Sequence, residues 1–373
     1  MNFVNFVNAV DAVSIGVWKA ALWTAPALLK DYGISTHLWA RLESGWCPQD
    51  HSVSFVQDVS TTSRRELRSL FLSRYSPSDT VIVSHGSWKF PTTWASEFAG
   101  LGFPWIYVPQ GMLEPWSLQQ HAFRKRLYWK LVESRCVRSA SVVRAVSSSE
   151  KANLQALLRD ADVRLIPNGI ESVSEEFRNA NSGTTFLFLG RLHHKKGSAR
   201  LVESFCRLPQ STAPGVELIV AGPDQGELAR IRSLQSQFPN ANLRYVGPVY
   251  GKAKEELLQT AQFFVLPSHS EGFPTSVVEA MGAGCIPLIS DGCNFPEAKR
   301  NGVCLNIGTS VESIGSGIAQ ALQMDSLQRA QMSEAARLFI LRHYTARPVA
   351  EAQAAVFHEL TDRSGKTTHR KVA

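Results

Sequence analysis

Short apolar runs alternate along this chain with longer stretches in which apolar side chains return every third or fourth position. In the first half the runs predict strands at 3–10, 34–40, 52–56, 80–84, 105–108, 141–145 and 163–166. In the second they predict strands at 185–189, 216–221, 243–246, 263–266, 286–289 and 302–305. The helical periodicity falls between them, at 17–30, 64–73, 92–101, 123–137 and 149–159, and again at 326–343 and 347–360. Repeated strand–helix alternation is the pattern of α/β domains with parallel sheets. A turn at Pro167-Asn168-Gly169 and a polar stretch over 171–183, rich in Ser, Glu and Asn, separate the two runs and read as a linker. The organisation expected is a domain over 1–170, a domain over 184–344, and a polar, flexible tail over 363–373.

Length and composition agree with that division. A chain of 373 residues is long for one core and comfortable for two, and 44% apolar with 19% charged residues excludes extensive disorder. No apolar run has the length of a membrane span, and the first residues lack the basic start and apolar core of a signal peptide. Six scattered cysteines without a Cys-x-x-Cys pair point to reduced thiols in a cytoplasm, and no His/Cys cluster calls for a metal. The formal charge of +7 concentrates in 121–144, where Arg124, Lys125, Arg126, Lys130, Arg135, Arg138 and Arg144 face one acid, Glu133. Phe123, Leu127, Leu131 and Val132 recur there at helical spacing, which predicts an amphipathic basic helix. Either its apolar side enters the core and its basic side is solvated, or the helix rests on anionic lipid headgroups. No nucleic-acid-binding module accompanies the charge. All nine tryptophans lie between Trp18 and Trp129, so the halves are expected to do different jobs.

Candidate chemistry concentrates in the second half. After the apolar run ending at Leu266, the segment Glu271-Gly272-Phe273-Pro274-Thr275-Ser276-Val277-Val278-Glu279 places one carboxylate in a turn and another just inside a helix. A strand end leading to a helix start is where open α/β sheets bind ligands: the helix N–H groups suit an anion, and carboxylates accept hydrogen bonds from hydroxyls. A sugar carried on a nucleoside diphosphate needs both. Ser276-x-x-Glu279 also fits a capping box, which would make Glu279 a helix cap. A second loop, Gly190-Arg191-Leu192-His193-His194-Lys195-Lys196-Gly197, follows another apolar strand with two cations suited to phosphate oxygens.

Taken together, these segments resemble the retaining glycosyltransferases of family 4. The resemblance rests on Gly190-Arg191-Leu192 with Lys196-Gly197, Ala221-Gly222-Pro223, Pro267-Ser268 leading to Glu271 and Glu279-Ala280-Met281, Ala283-Gly284-Cys285-Ile286-Pro287, and Ile166-Pro167-Asn168-Gly169. It covers nearly all of the second half. The first half matches more loosely, through His85-Gly86-Ser87-Trp88 and Gln110-Gly111-Met112-Leu113-Glu114-Pro115-Trp116, and looks like enzymes that build bacterial surface polysaccharides. The resemblance implies the GT-B architecture: two Rossmann-like domains facing across a cleft, with the C-terminal helix, 345–362, packing back on the first. It also implies a nucleotide-sugar donor, a glycan or lipid-linked oligosaccharide acceptor, no metal or other cofactor, and a place in the cytoplasm or on the inner face of the membrane.

Carried over by residue, the resemblance puts Arg191 and Lys196 on the donor diphosphate, Glu279 on the ribose and Glu271 on the donor sugar. Gly190, Gly222, Gly272 and the N–H groups of Phe273, Thr275 and Ser276 complete the donor pocket; Pro274 has no N–H to give. Gly16 and Gly111 line the acceptor side. Relatives often carry His where this chain has Gln110, which cannot take a proton near neutral pH, so His85 becomes the substitute candidate for any acid/base role. Two rival readings are an epimerase of the same architecture and a non-catalytic subunit that binds nucleotide sugar.

Overall fold

The computed structural model describes residues 1–11, 14–43, 53–120, 122–171, 173, 184–209 and 215–369. The chain divides into two compact units, Met1–Glu171 with Ala346–Ala373, and Ser172–Thr345. Most of the stretch read as a linker, 172 and 174–183, lies outside the described residues, as do 370–373 of the tail. Among the described residues no helix is long and apolar enough to cross a membrane.

The first unit holds a seven-stranded sheet of β1 (Asn2–Val10), β2 (Ser35–Leu42), β3 (Val53–Asp58), β4 (Thr80–His85), β5 (Trp105–Val108), β6 (Val142–Ala145) and β7 (Val163–Leu165). Every strand pairing is parallel, in the order β3-β2-β1-β4-β5-β6-β7. Helices on both faces explain why β4 and β5 read as near-continuous apolar runs rather than alternating ones. Phe6, Trp39, Phe71, Trp94 and Phe98 form an aromatic core on one face, with the Phe71 and Phe98 rings stacked at 4.0 Å between centroids. The last helix, Ala346–His369, belongs to this unit. Its Phe357 ring meets Phe3 edge-on at 4.9 Å, Gln353 accepts a hydrogen bond from Thr24 Oγ1 at 2.8 Å, and Glu359 pairs with Arg164.

The second unit repeats the plan with β8 (Thr184–Leu189), β9 (Val216–Ala221), β10 (Leu243–Gly247), β11 (Phe263–Leu266), β12 (Ile286–Ser290) and β13 (Leu305–Ile307), in the order β10-β9-β8-β11-β12-β13, again all parallel. Strand order reverses between β1 and β4 in one sheet and between β8 and β11 in the other. Loops diverge at such switch points and leave a crevice at the strands' carboxyl ends. The loops holding Lys196 and Glu271 are the two that leave β8 and β11.

Four local expectations change. The periodicity over 17–30 is broken into helices Ile15–Leu22 and Ala25–Tyr32, because Pro26 fits only the first turn of a new helix. The last strand begins at Leu305 rather than 302: the helix Pro296–Arg300 ends in a Schellman turn, with Gly302 at φ 65, Val303 N–H bonded to Ala298 O and Gly302 N–H to Lys299 O. The final helix runs through Thr361 to His369, past the point where the flexible tail was expected to begin.

The basic segment is the fourth. It forms one nearly continuous helical rod of Ala122–Tyr128, a π turn Trp129–Glu133, and Ser134–Val137. The wider π turn lets Trp129, Glu133 and Val137 all face inward. Glu133 is fully buried and accepts hydrogen bonds from Trp88 N–H at 3.3 Å, Thr92 Oγ1 at 3.0 Å and Tyr107 OH at 3.0 Å. The inner face is therefore aromatic and polar. Of the apolar stripe read from the sequence, Phe123, Leu127 and Leu131 point to solvent instead of the core, while Val132 is half-buried.

Candidate functional site

After β8 the chain makes one 3-10 turn, His194–Lys196, capped by the His193 ring accepting the Lys195 N–H at 3.1 Å. Gly197 follows at φ 74, a conformation most side chains resist. A Cβ there would also lie 2.6 Å from Pro267 O, so glycine is what allows the loop after β11 to press against this turn. His269 N–H donates to Lys195 O at 2.8 Å and ties the two loops together. A second close approach lies beside it: Gly222, at φ 142, abuts Gly190, where a Cβ would fall 1.8 Å from the Gly190 carbonyl oxygen.

These contacts bring Lys196 against Glu271. Lys196 Nζ lies 2.7 Å from Glu271 Oε2, with the side chains only 16% and 9% exposed. The other carboxylate oxygen accepts from Ser268 Oγ at 2.5 Å, and the Glu271 N–H donates to Gly292 O at 2.8 Å. Both carboxylate oxygens and the backbone of Glu271 are therefore fixed before any ligand arrives. Since an ammonium has three donors, Lys196 can keep this bond and still reach a phosphate oxygen.

The helix Thr275–Gly282 starts directly after Pro274, which is its N-cap without any side-chain capping bond. The capping-box reading of Ser276 and Glu279 is set aside: Ser276 already lies inside the helix, and the Glu279 carboxylate pairs at 2.8 Å with Lys254 of the helix Gly251–Thr260. Thr275 N–H donates to Phe273 O at 3.0 Å and is spent within the turn. Among the described residues the N–H groups of Gly272, Phe273 and Ser276 make no hydrogen bond, which leaves three donors at a positively polarised helix start. Arg191 is exposed, its Nη1 donating to Gln225 Oε1 at 3.0 Å. Lys196 and Glu271 are thus in direct contact, while Arg191 and Glu279 each sit in a pair of their own. Lys254, Gln225 and Ser268 were not singled out by sequence. Lys254 lies in an ordinary charged helix with nothing to mark it, whereas Ser268 stands in the motif Pro267-Ser268.

In the first unit, His85 ends β4 and is 2% exposed. A directed chain of hydrogen bonds runs through it. Arg144 Nη2 donates to Asn168 Oδ1 at 3.3 Å, Asn168 Nδ2 to Gln110 Oε1 at 2.9 Å, and Gln110 Nε2 to His85 Nδ1 at 3.3 Å. His85 Nε2 in turn meets Asn5 Oδ1 at 3.0 Å, which places its proton on Nε2. Burial, with the Arg144 charge behind it, lowers the His85 pKa to about 3. His85 is neutral near pH 7, and both of its nitrogens are engaged. Gln110 stands at φ 56 and Gly111 at φ 75, and the turn they make is held by Glu150, which accepts Gly111 N–H at 2.6 Å and Val146 N–H at 2.8 Å. Burial raises the Glu150 pKa to about 7. Gly16 lies exposed in the helix after β1, where an added Cβ would meet no atom within 4 Å. Nothing among the described residues requires glycine there. Arg144, Glu150 and Asn168 give this region its order; Asn168 stood in the motif Pro167-Asn168-Gly169, Arg144 was read only as part of the basic segment though it lies in β6, and Glu150 had no sequence signal.

Residues 169–339 match the family model described as Glycosyl transferases group 1, and residues 16–169 match the Glycosyl transferase 4-like domain. The chain is 28% identical over 248 residues to a GDP-mannose:cellobiosyl-diphosphopolyprenol alpha-mannosyltransferase of Xanthomonas campestris, covering 63% of this chain and 64% of that protein. It is 28% identical over 141 residues to O-antigen chain mannosyltransferase B of Escherichia coli, 38% of this chain and 37% of the relative. The matched stretch therefore spans less than two-thirds of either relative. In structure the chain resembles a sucrose-phosphate synthase from Thermosynechococcus elongatus (TM-score 0.76, 16% identity, 97% of this chain and all of that one). A glycosyltransferase involved in lipopolysaccharide biosynthesis superposes with a TM-score of 0.69 at 16% identity, over 95% of this chain and 99% of that one.

Proposed function

The chain belongs to the glycosyltransferases of GT-B fold, and we propose that it is a retaining enzyme that moves a sugar from a nucleoside diphosphate to a hydroxyl of a lipid-linked oligosaccharide. The observation that carries this reading is the Lys196–Glu271 pair at the β8/β11 switch point, beside a helix start with free N–H groups. Lys196 and the N–H groups of Phe273 and Ser276 are suited to the diphosphate, with Arg191 as a further cation at its exposed edge. Glu271, fixed by Ser268 and Lys196, offers acceptor capacity to the hydroxyls of the sugar. Glu279 accepts from the ribose, with Lys254 orienting it.

In the reaction proposed, the bond from the anomeric carbon to the diphosphate oxygen breaks and a bond to the acceptor oxygen forms on the same face. The acceptor proton passes to the departing phosphate, so no side chain has to act as a base. The neutral, doubly engaged His85 and the amide of Gln110 suit that route, since neither offers a proton acceptor to the substrate. The protein contributes charge stabilisation and positioning. The similarity to mannosyltransferases favours GDP-mannose as the first donor to test and a polyprenyl-diphosphate oligosaccharide as acceptor, in surface polysaccharide synthesis on the cytoplasmic side of the membrane.

The test is nucleotide release over a panel of UDP-, GDP- and ADP-sugars, with and without lipid-linked acceptors, followed by the anomeric configuration of the product. One donor is expected to turn over with acceptor and to give an axial product from an axial donor. Donor isomerisation without acceptor would overturn the reading in favour of an epimerase. Binding without turnover across the panel would overturn it in favour of a scaffold.

A further inference from the structure

The helical rod Ala122–Val137 turns its inner face to the unit through Tyr128, Trp129, Glu133 and Val137, and among the described residues its outer face has no partner. Trp88 packs against the inner face, its ring 6.0 Å from Tyr128 and 6.1 Å from Trp129. On the outer face Phe123 is 81% exposed, Leu127 50% and Leu131 49%. Their spacing of four residues makes one stripe along the rod. Arg126 and Lys130 border it on one side and Arg124 on the other, with Arg135 and Arg138 further along, and all five are exposed. No acidic side chain pairs with any of these five among the described residues. An aromatic and two leucines set in a frame of unpaired cations are costly to leave in water, and they match one surface: an apolar layer beneath anionic headgroups.

We propose that the outer face of Ala122–Val137 is a docking surface for an anionic lipid bilayer, with Phe123, Leu127 and Leu131 entering the acyl boundary and the flanking Arg and Lys side chains lying among the phosphates. The charge complementarity commits the surface to anionic lipid: a neutral bilayer would leave five cations uncompensated, and a protein partner would need a matching acidic groove. The buried Glu133, locked to Trp88, Thr92 and Tyr107, keeps the stripe pointing outward whether or not lipid is present. The inference does not rest on the transferase reading, because docking requires neither donor nor acceptor.

Sedimentation of the full chain with sucrose-loaded vesicles tests it, using phosphatidylcholine alone and phosphatidylcholine with about one-third phosphatidylglycerol. The unsubstituted chain should partition to the anionic vesicles at least about tenfold more strongly, and high salt should reduce that preference. F123S/L127S/L131S alters only solvent-facing side chains and should lower the partition about tenfold or more. R124Q/R126Q/K130Q should lower it on the order of a hundredfold, about fivefold per cation, while leaving the apolar stripe in place. Equal partition to both vesicle types would overturn the proposal. So would stripe and charge variants that bind like the parent, or a stripe variant that merely dissociates a dimer while vesicle binding is unchanged.

Discussion

Replacing Lys196 with methionine separates what its contact with Glu271 does for the fold from what it does for a substrate. The ammonium sits 2.7 Å from a carboxylate that is 9% exposed, and among the described residues the carboxylate's other oxygen has only the Ser268 hydroxyl. Removing one member of a buried ion pair typically costs about 3–5 kcal/mol, because the remaining charge stays desolvated. Lys196 is 16% exposed, so water can replace part of the lost partner, and a cost of about 2–4 kcal/mol is expected. In Lys196→Met/Glu271→Gln the orphan charge is gone and the Ser268 bond is retained. That double variant should lie within about 1.5 kcal/mol of the parent, a coupling of roughly 2 kcal/mol in the cycle. All nine tryptophans lie between Trp18 and Trp129, so their emission reports the first unit. The second unit has to be followed by circular dichroism. Urea transitions should therefore shift for Lys196→Met in circular dichroism and not in tryptophan emission.

Activity should not follow stability. Both variants should lose donor turnover by about 10²–10³-fold or more, since charge stabilisation of the leaving group goes with the ammonium. A purely structural pair predicts the opposite for the double variant: stability regained and turnover regained with it. A double variant that is stable and turns over donor within about tenfold of the parent would refute the reasoning.

Three further outcomes follow from particular residues. Glu279→Gln should raise the donor KM about tenfold to a hundredfold with a smaller change in kcat, as loss of a ribose contact made equally in ground and transition states does; steady-state kinetics on the donor identified decides it. Gly222→Ala places a Cβ 1.8 Å from Gly190 O at a φ of 142, so the second unit should lose about 3 kcal/mol or more, read as a lower urea midpoint in circular dichroism. Glu150 has a folded pKa of about 7 against 4.5 unperturbed, so its contribution is fully present below about pH 4.5 and is lost as pH rises through 7. Relative to the parent, Glu150→Gln should gain about 2–3 kcal/mol between pH 5 and pH 8 in tryptophan-detected urea unfolding, because His85 and His37 titrate alike in both proteins and cancel; an unchanged difference across that range contradicts it.

The sheets were legible from sequence because buried parallel strands carry apolar runs that nothing else in the chain imitates. Phe263–Leu266 and Val216–Ala221 fall where the runs put them. What the pattern missed depends on local competition: Pro26 splitting a helix, and the Schellman turn at Gly302 delaying β13. The basic helix shows the limit of periodicity. Phe123, Leu127 and Leu131 mark a face, but which face meets the core was decided by Trp129, Glu133 and the π turn between them. At the candidate site, Lys196 and Glu271 were readable as motif residues. Their direct contact was not, because it depends on Gly197 allowing Pro267 within reach. Lys254 and Glu150 left no trace in the sequence, since each acts through a partner brought near only by folding.

A structure of the chain with a bound nucleoside diphosphate tests most directly whether the β8 and β11 loops form the donor site. Phosphate oxygens should lie within hydrogen-bond reach of Lys196 Nζ and of the N–H groups of Phe273 and Ser276, with the ribose hydroxyls on Glu279. A nucleotide bound elsewhere, with the Lys196–Glu271 pair and the start of the helix Thr275–Gly282 untouched, would contradict it.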